Sequence, residues 1–214
     1  MRIKYLKMVL LITAIPLLFG ASCNKDDGTS CPANYTTYSF NATATISPQQ
    51  VTYHIGDTIF YNSTLTNPIL DKFSNQLIDY TNAVLPVGDN GINLIDTITK
   101  QFIPARDSFN LIAIIGSFIE EPNNLRAGIN LKYQAINNSY KFSGGFICKK
   151  KGIYTFGVGD LLSSGINGKN CTKATFLTLL DNTNTSGNIQ LYQYASGVTP
   201  TAEGAKRIYC FRVQ

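Results

Sequence analysis

The feature that most constrains this chain is a strict, short alternation of apolar and polar side chains that recurs along it. Tyr38, Phe40, Ala42, Ala44 and Ile46 take every second position, and Ser39, Asn41, Thr43 and Thr45 fill the gaps. A period of two turns one set toward a core and the other toward water, the pattern of a half-buried β-strand. Ser47-Pro48 stops the run. Residues 51–55, a Gly56-Asp57 turn and residues 58–65 follow, with Ile59, Tyr61 and Leu65 on one face. Further on, Ile129, Leu131, Tyr133 and Ala135 alternate in the same way, and Asn137-Asn138 turns the chain. Tyr140, Phe142, Phe146 and Cys148 then share a face of the returning strand. This is a hairpin with its turn chemistry in place.

Residues 78–87, 93–103, 153–158, 174–180, 189–194 and 207–213 are further β-branched or aromatic runs between Gly, Asn and Ser-rich loops. Residues 109–119 are almost continuously apolar, as expected of a strand buried on both faces or a central one. One stretch has two readings. Asn67-Pro68 with Ile69, Leu70, Phe73 and Leu77 at helical spacing fits a short helix, and it fits equally a loop packed over a sheet edge. Many short strands without regular intervening helices predict an all-β fold, an antiparallel β-sandwich.

The N-terminus follows a different logic. Arg2, Lys4 and Lys7 precede an apolar stretch over residues 8–19, and Gly20, Ala21 and Ser22 lead to Cys23. That is the layout of an export signal. A membrane-spanning helix needs about 20 apolar residues, and this stretch turns polar at Asn24 before reaching that length. Gly20-Ala21-Ser22-Cys23 resembles the bacterial lipobox, in which the cysteine takes the diacylglycerol, although Gly20 stands where that family usually carries an aliphatic residue. Lys25, Asp26 and Asp27 are similar to the export signal that follows the lipidated cysteine in surface lipoproteins of Bacteroidota. Residues 33–214 also resemble uncharacterised β-sandwich lipoproteins of that group. The likeness lies in Gly56-Asp57-Thr58-Ile59, in Lys151-Gly152-Ile153-Tyr154 and in the closing strand Tyr209-Cys210-Phe211-Arg212-Val213.

The resemblance implies a lipoprotein signal peptide over 1–22, and a lipidated Cys23 with a flexible tether over 23–32. It implies a single Ig-like or cadherin-like domain over 33–214, displayed outward from the outer membrane, with no activity to carry over. Two or three acyl chains anchor a protein durably where one binds only marginally.

Removing residues 1–22 takes away three cations and lowers the formal charge from +5 to +2. The basic balance of the full chain therefore belongs partly to its leader. Lys149-Lys150-Lys151 reads as a solvated hairpin tip, and no nucleic-acid partner is expected. Beyond Cys23 remain Cys31, Cys148, Cys171 and Cys210. In an oxidising compartment that even number predicts two disulfides. Three pairings exist; a strand between Cys148 and Cys171 argues against joining those two and leaves two open.

Chemistry is sparse. His54 is the only histidine, so a Ser/His/Asp set and a Cys/His metal site both lack partners. Asp57, Asp71, Asp79, Asp96, Glu120 and Glu121 are the carboxylates to consider for paired acid–base work, and Glu120-Glu121 lie at a Pro-Asn-Asn turn. Asp89-Asn90-Gly91 and Asp181-Asn182-Thr183-Asn184 are oxygen-rich turns of the kind that bind calcium, without the EF-hand spacing. Gly157-Val158-Gly159 lacks the helix and lysine of a phosphate loop. Tyr133, Tyr140, Tyr154, Tyr192 and Tyr194 would stack on sugars if exposed, and strand packing accounts for them otherwise. Asp57-Thr58-Ile59 and Asp96-Thr97-Ile98 resemble the O-glycosylation acceptor of Bacteroidota, which marks Thr58 and Thr97. The expectation is a non-enzymatic surface protein without metal or cofactor, held to the membrane through Cys23. Its partner is a surface protein or a glycan, the second as accessory to polysaccharide uptake.

Overall fold

Alternation becomes strand wherever one face has a core to meet. In the computed structural model, which describes residues 36–81, 83, 86–119, 128–165, 171–181 and 186–214, β1 runs Thr36–Ser47. It buries Phe40, Ala42, Ala44 and Ile46 and leaves the residues between them exposed. β2 is Thr52–Tyr53, and β3 (Thr58–Thr66) buries Ile59, Tyr61, Ser63 and Leu65. The hairpin around Asn137-Asn138 joins β11 (Gln134–Ile136) to β12 (Ser139–Cys148). Both asparagines take positive φ, 46° and 58°, as a two-residue hairpin turn requires.

The remaining strands are β4 (Ile69–Leu70), β5 (Leu77–Ile78), β6 (Val87–Ile95), β7 (Phe102–Pro104), β8 (Phe109–Ile115), β9 (Ser117–Ile119), β10 (Gly128–Lys132), β13 (Gly152–Gly157), β14 (Leu161–Ser164), β15 (Thr172–Leu180) and β16 (Ile208–Val213). All but β4 and β5 join one hydrogen-bonded sheet, whose main path is β11-β12-β3-β1-β15-β14-β6-β13-β16-β2. The sheet curls into two facing layers. Tyr61 on β3 meets Phe156 on β13 at 5.5 Å between ring centres, and Phe146 on β12 meets Phe156 at 5.1 Å. β13 pairs through hydrogen bonds with neither β3 nor β12, so these rings touch across the interior. β14 carries the path from one layer to the other, since Leu161 pairs with Phe176 of β15 and with Gly88 of β6. A side chain at Gly88 would come within 2.4 Å of the Leu161 Cδ2 methyl, so Leu161 would have to shift to admit it.

Four expectations need correction. The pairing is not wholly antiparallel, because β1 runs parallel to β15 and β16 parallel to β2. Residues 67–77 form neither a helix nor a plain loop: β4 and β5 make a small hairpin in which Leu70, Phe73 and Leu77 face solvent. Residues 109–119 are not buried on both faces. They break at Gly116 into β8, which pairs only with β12 among the described residues, and β9, which pairs with β10. Ile112 and Ile114 on β8 and Ile119 on β9 stay exposed. Residues 189–194 are helical rather than extended. They belong to α1 (Ser186–Ser196), which packs Leu191, Tyr192 and Ala195 on Ile95 and Cys210. β16 is thereby covered on both faces, with Tyr209 and Phe211 in the aromatic core and Cys210 under α1. A short α2 (Ala202–Ala205), capped by the Thr201 hydroxyl, leads into β16.

Candidate functional site

The most developed polar site gathers where β3 ends, β5 ends and β11 turns into β12. Asn67 leaves β3 and exchanges bonds with the Asn138 turn. Its N–H donates to Asn138 O at 3.1 Å, and Asn138 Nδ2 donates to Asn67 O at 3.0 Å. Asn67 Nδ2 points at Asp79 Oδ1 (2.8 Å), Thr81 Oγ1 (2.7 Å) and Asn138 Oδ1 (3.2 Å), while its Oδ1 accepts from the Tyr80 N–H. Asp79 Oδ1 also accepts from the Thr81 N–H at 2.9 Å and from the Thr81 hydroxyl at 2.6 Å. The Tyr140 hydroxyl fixes the segment from below by donating to Tyr80 O at 2.7 Å. Asn67, Thr81, Asn138 and Tyr140 line an open cleft of about 160 Å³.

The electrostatics of this cleft are settled by hydrogen bonds. The Thr81 hydroxyl, then the Asn67 amide, then the Thr81 N–H hold the Asp79 carboxyl down at about 2. Asp79 is therefore an anion and an acceptor throughout the neutral range, and it has no proton to give there. Its second oxygen has no partner among the described residues. A shallower cleft of about 260 Å³ lies beside it, with Gly116, Lys132, Tyr133 and Gln134 in its wall, and the two share Ala135. Gly116 sits there at φ 80°, and a side chain on it would meet the Lys132 carbonyl oxygen at 2.4 Å.

Cys23, Lys25, Asp26, Asp27, Cys31, Glu120, Glu121 and residues 182–184 lie outside the described residues. Cys148 and Cys210 are free, buried thiols. This corrects the expectation of two bridges: Cys148 faces the aromatic core, while Cys210 points the other way, under α1. Burial pushes Cys148 up to about 11, with Asp57 adding to it, and pushes Cys210 up to about 12. Neither is a thiolate nucleophile at neutral pH. Cys171, immediately before β15, is the one described cysteine that is not a free thiol.

His54 stands exposed in the β2–β3 turn. Its Nδ1 lies 3.6 Å from Asp57 Oδ2, and the same oxygen takes the His54 N–H at 2.7 Å. Asp57 is a turn-forming residue there. Asp71 and Asp96 hold turns in the same manner, through Ser39 and Ser74 for the first and Ile98 and Thr99 for the second. Asp89-Asn90-Gly91 is not a loop but the middle of β6, paired with β10, and Asn90 Oδ1 accepts from Gly159 N. Among the described residues no group of three or more His, Cys, Asp or Glu is placed to hold a metal ion. Thr97 is exposed at the tip of the β6–β7 hairpin, whereas Thr58 is half-buried in β3. Tyr133, Tyr140 and Tyr154 are core residues, and Tyr192, on α1, is buried in the cluster with Ile95 and Cys210. Tyr194 is exposed, with Lys100 Nζ 5.7 Å above its ring. Asn67, Thr81 and Asn138 carried no functional mark in the sequence; the cap and turn readings of Asn67-Pro68 and Asn137-Asn138 were the available signal.

No protein-family model matches the chain, and no curated protein matches it. Among solved structures it is similar to a cohesin module from a Clostridium perfringens family 33 glycoside hydrolase. The identity is 8% and the TM-score 0.32, over 65% of this chain and 98% of the module. It is also similar to the structure titled for AvmM, which catalyses macrocyclization in alchivemycin A biosynthesis. There the identity is 10% and the TM-score 0.32, over 73% of this chain and 97% of the other. Likeness at that level assigns no activity.

Proposed function

We propose that this chain is a lipid-anchored cell-surface protein whose all-β domain, an Ig-like or cadherin-like sandwich, binds a partner without transforming it. Cys23 carries the acyl chains, and Lys25, Asp26 and Asp27 direct the protein to the outward face of the outer membrane.

The observation that carries the binding reading is the cleft lined by Asn67, Thr81 and Asn138, with Asp79 hydrogen-bonded to the first two. Its donors and acceptors are fixed by one another, and Asp79, held at about 2, offers a permanent negative acceptor and no neutral-range proton shuttle. Crosslinking on intact cells tests it. The wild type captures a partner that Asn67→Ala and Asp79→Ala lose, and reproducible turnover of a defined substrate by the purified protein refutes the reading. The address is tested separately by Cys23→Ala, which must leave the membrane fraction.

A glycan is the second reading. The amides and hydroxyls of the cleft suit sugar hydroxyls, but Tyr140 is only 3% exposed and presents no stacking face. A glycan array on which cleft variants and wild type bind alike removes it.

A further inference from the structure

The β4–β5 hairpin spends order on an apolar surface that no described residue covers. Leu70 and Leu77 are cross-strand partners, 51% and 66% exposed, and Phe73 at the tip is 79% exposed. Exposed apolar side chains are common singly, but three on one short rigid turn mark a contact surface. The rigidity comes from Asp71, itself buried. Its Oδ2 accepts from Ser74 N at 2.8 Å and Ser74 Oγ at 2.7 Å, and its Oδ1 accepts from Ser39 N at 2.8 Å. Lys72 N donates to Ser39 O at 2.7 Å, so the hairpin is bolted to β1 close to the point where the chain enters the fold. With Asp71 consumed inside, Lys72 is the exposed charge of the hairpin.

We propose that this hairpin rests on the lipid surface, with Phe73, Leu70 and Leu77 in the interfacial layer and Lys72 among headgroup phosphates. The proposal rests on the lipid-anchor reading, since acyl chains at Cys23 hold the chain-entry end within tether length of the bilayer. From Cys23 to Thr36 the chain reaches at most about 45 Å. Apolar side chains flanked by a lysine match the chemistry of a bilayer interface, and anionic headgroups add attraction for the cation.

The test uses the full, acylated chain in phosphatidylethanolamine–phosphatidylglycerol vesicles containing headgroup-proximal nitroxide lipid. A fluorophore is placed on Gln76→Cys in the hairpin and, separately, on Thr97→Cys at the far β6–β7 tip. Quenching is expected to reach about half at position 76 and to stay under about a tenth at position 97. Phe73→Ser/Leu77→Ser is expected to cut the quenching at 76 by about two-fold or more with an unchanged melting temperature. Equal quenching at the two positions overturns the proposal, as does quenching that ignores the double substitution. A concentration-dependent emission change at position 76 without vesicles assigns the surface to a second copy and overturns it too. Intact mass is scored first. An acylated chain without quenching at 76 refutes the hairpin contact alone, whereas an unacylated Cys23 refutes both readings.

Discussion

The two ends of the sheet are tied by different chemistry. At the chain-entry end, where Thr36 lies beside Thr172, order is imposed by side chains: Asp71 on Ser39 and Ser74, Asn67 on Asp79, Thr81 and Asn138. At the far end, around Gly56 and Cys148, main-chain bonds carry most of this work. Gly56 N donates to Cys148 O at 2.8 Å, Cys148 N to Asp57 O at 2.9 Å, Lys149 N to Ser108 O at 2.9 Å and Ile55 N to Gln214 O at 3.2 Å. Side-chain ties can be mutated and titrated one at a time, while main-chain ties answer only to the fold as a whole. The entry end is therefore where ligand, acid or substitution can act locally.

The severest test of this contrast is the core that both ends share. Phe156 lies between the layers against Tyr61 and Phe146, and Phe156→Ala should cost about 3–5 kcal/mol. Urea unfolding should remain a single transition, with hydrogen exchange rising together at Asn67 and at Gly56. Exchange that rises at one end only would show that the ends fold as separate units.

Asp71→Ala comes next, at about 2–3 kcal/mol, because it strips a buried, charge-assisted acceptor from three donors. Here exchange should rise over residues 70–78 and stay unchanged at Gly56 and Cys148. Equal loosening at the far end would dissolve the distinction. On the far side Asn188→Ala should cost about 1–2 kcal/mol. Asn188 Nδ2 donates to Cys210 O at 2.7 Å and to Gln50 O at 3.2 Å, joining α1 to β16 and to the β1–β2 link. Exchange in α1 reports it, and the cleft around Asn67 should not respond.

The sequence foretold the central strands better than the edges, the helix and the cleft, for a physical reason. β1, β3 and β12 each have one buried face, so period two appears directly in Phe40 to Ile46 and in Ile59 to Leu65. Apolarity alone does not say whether a strand is central, and the run from Phe109 to Ile119 turned out to lie at an edge. α1 hid because Ile189-Gln190-Leu191-Tyr192-Gln193-Tyr194 mimics a strand. Its buried set Asn188, Leu191, Tyr192 and Ala195 has the helical spacing i, i+3, i+4, i+7, but it opens on a polar residue. The cleft has no spacing at all. Residues 67 and 138 meet through the pairing of β3 with β12, and 79 and 81 are brought back to 67 by the β4–β5 hairpin, so no sequence interval links the four.

The smallest effect separates the ends by pH, and its sign is opposite at each. At the entry end Asp79 is held at about 2 against 3.8, first by the Thr81 hydroxyl. Asp71 also lies below its ordinary value: burial works to raise it, and the bonds from Ser39 and Ser74 outweigh that. A carboxyl whose folded value is depressed adds stability that is fully present above the unfolded value and is lost as pH falls through the folded one. The Asn67–Asp79–Thr81 tie should therefore hold above about pH 4 and fail toward about pH 2. At the far end burial raises Cys148 to about 11 from 9.0. A raised thiol gives stability that is complete below the unfolded value and is lost as pH climbs from about 9 through about 11. Amide chemical shifts at Thr81 and at Gly56 should consequently move at opposite ends of the pH scale. Asp79→Asn should abolish the acid transition at Thr81 alone, and Cys148→Ala the alkaline one at Gly56. A shared transition at both amides would mean that the side-chain ties and the main-chain ties are not independent.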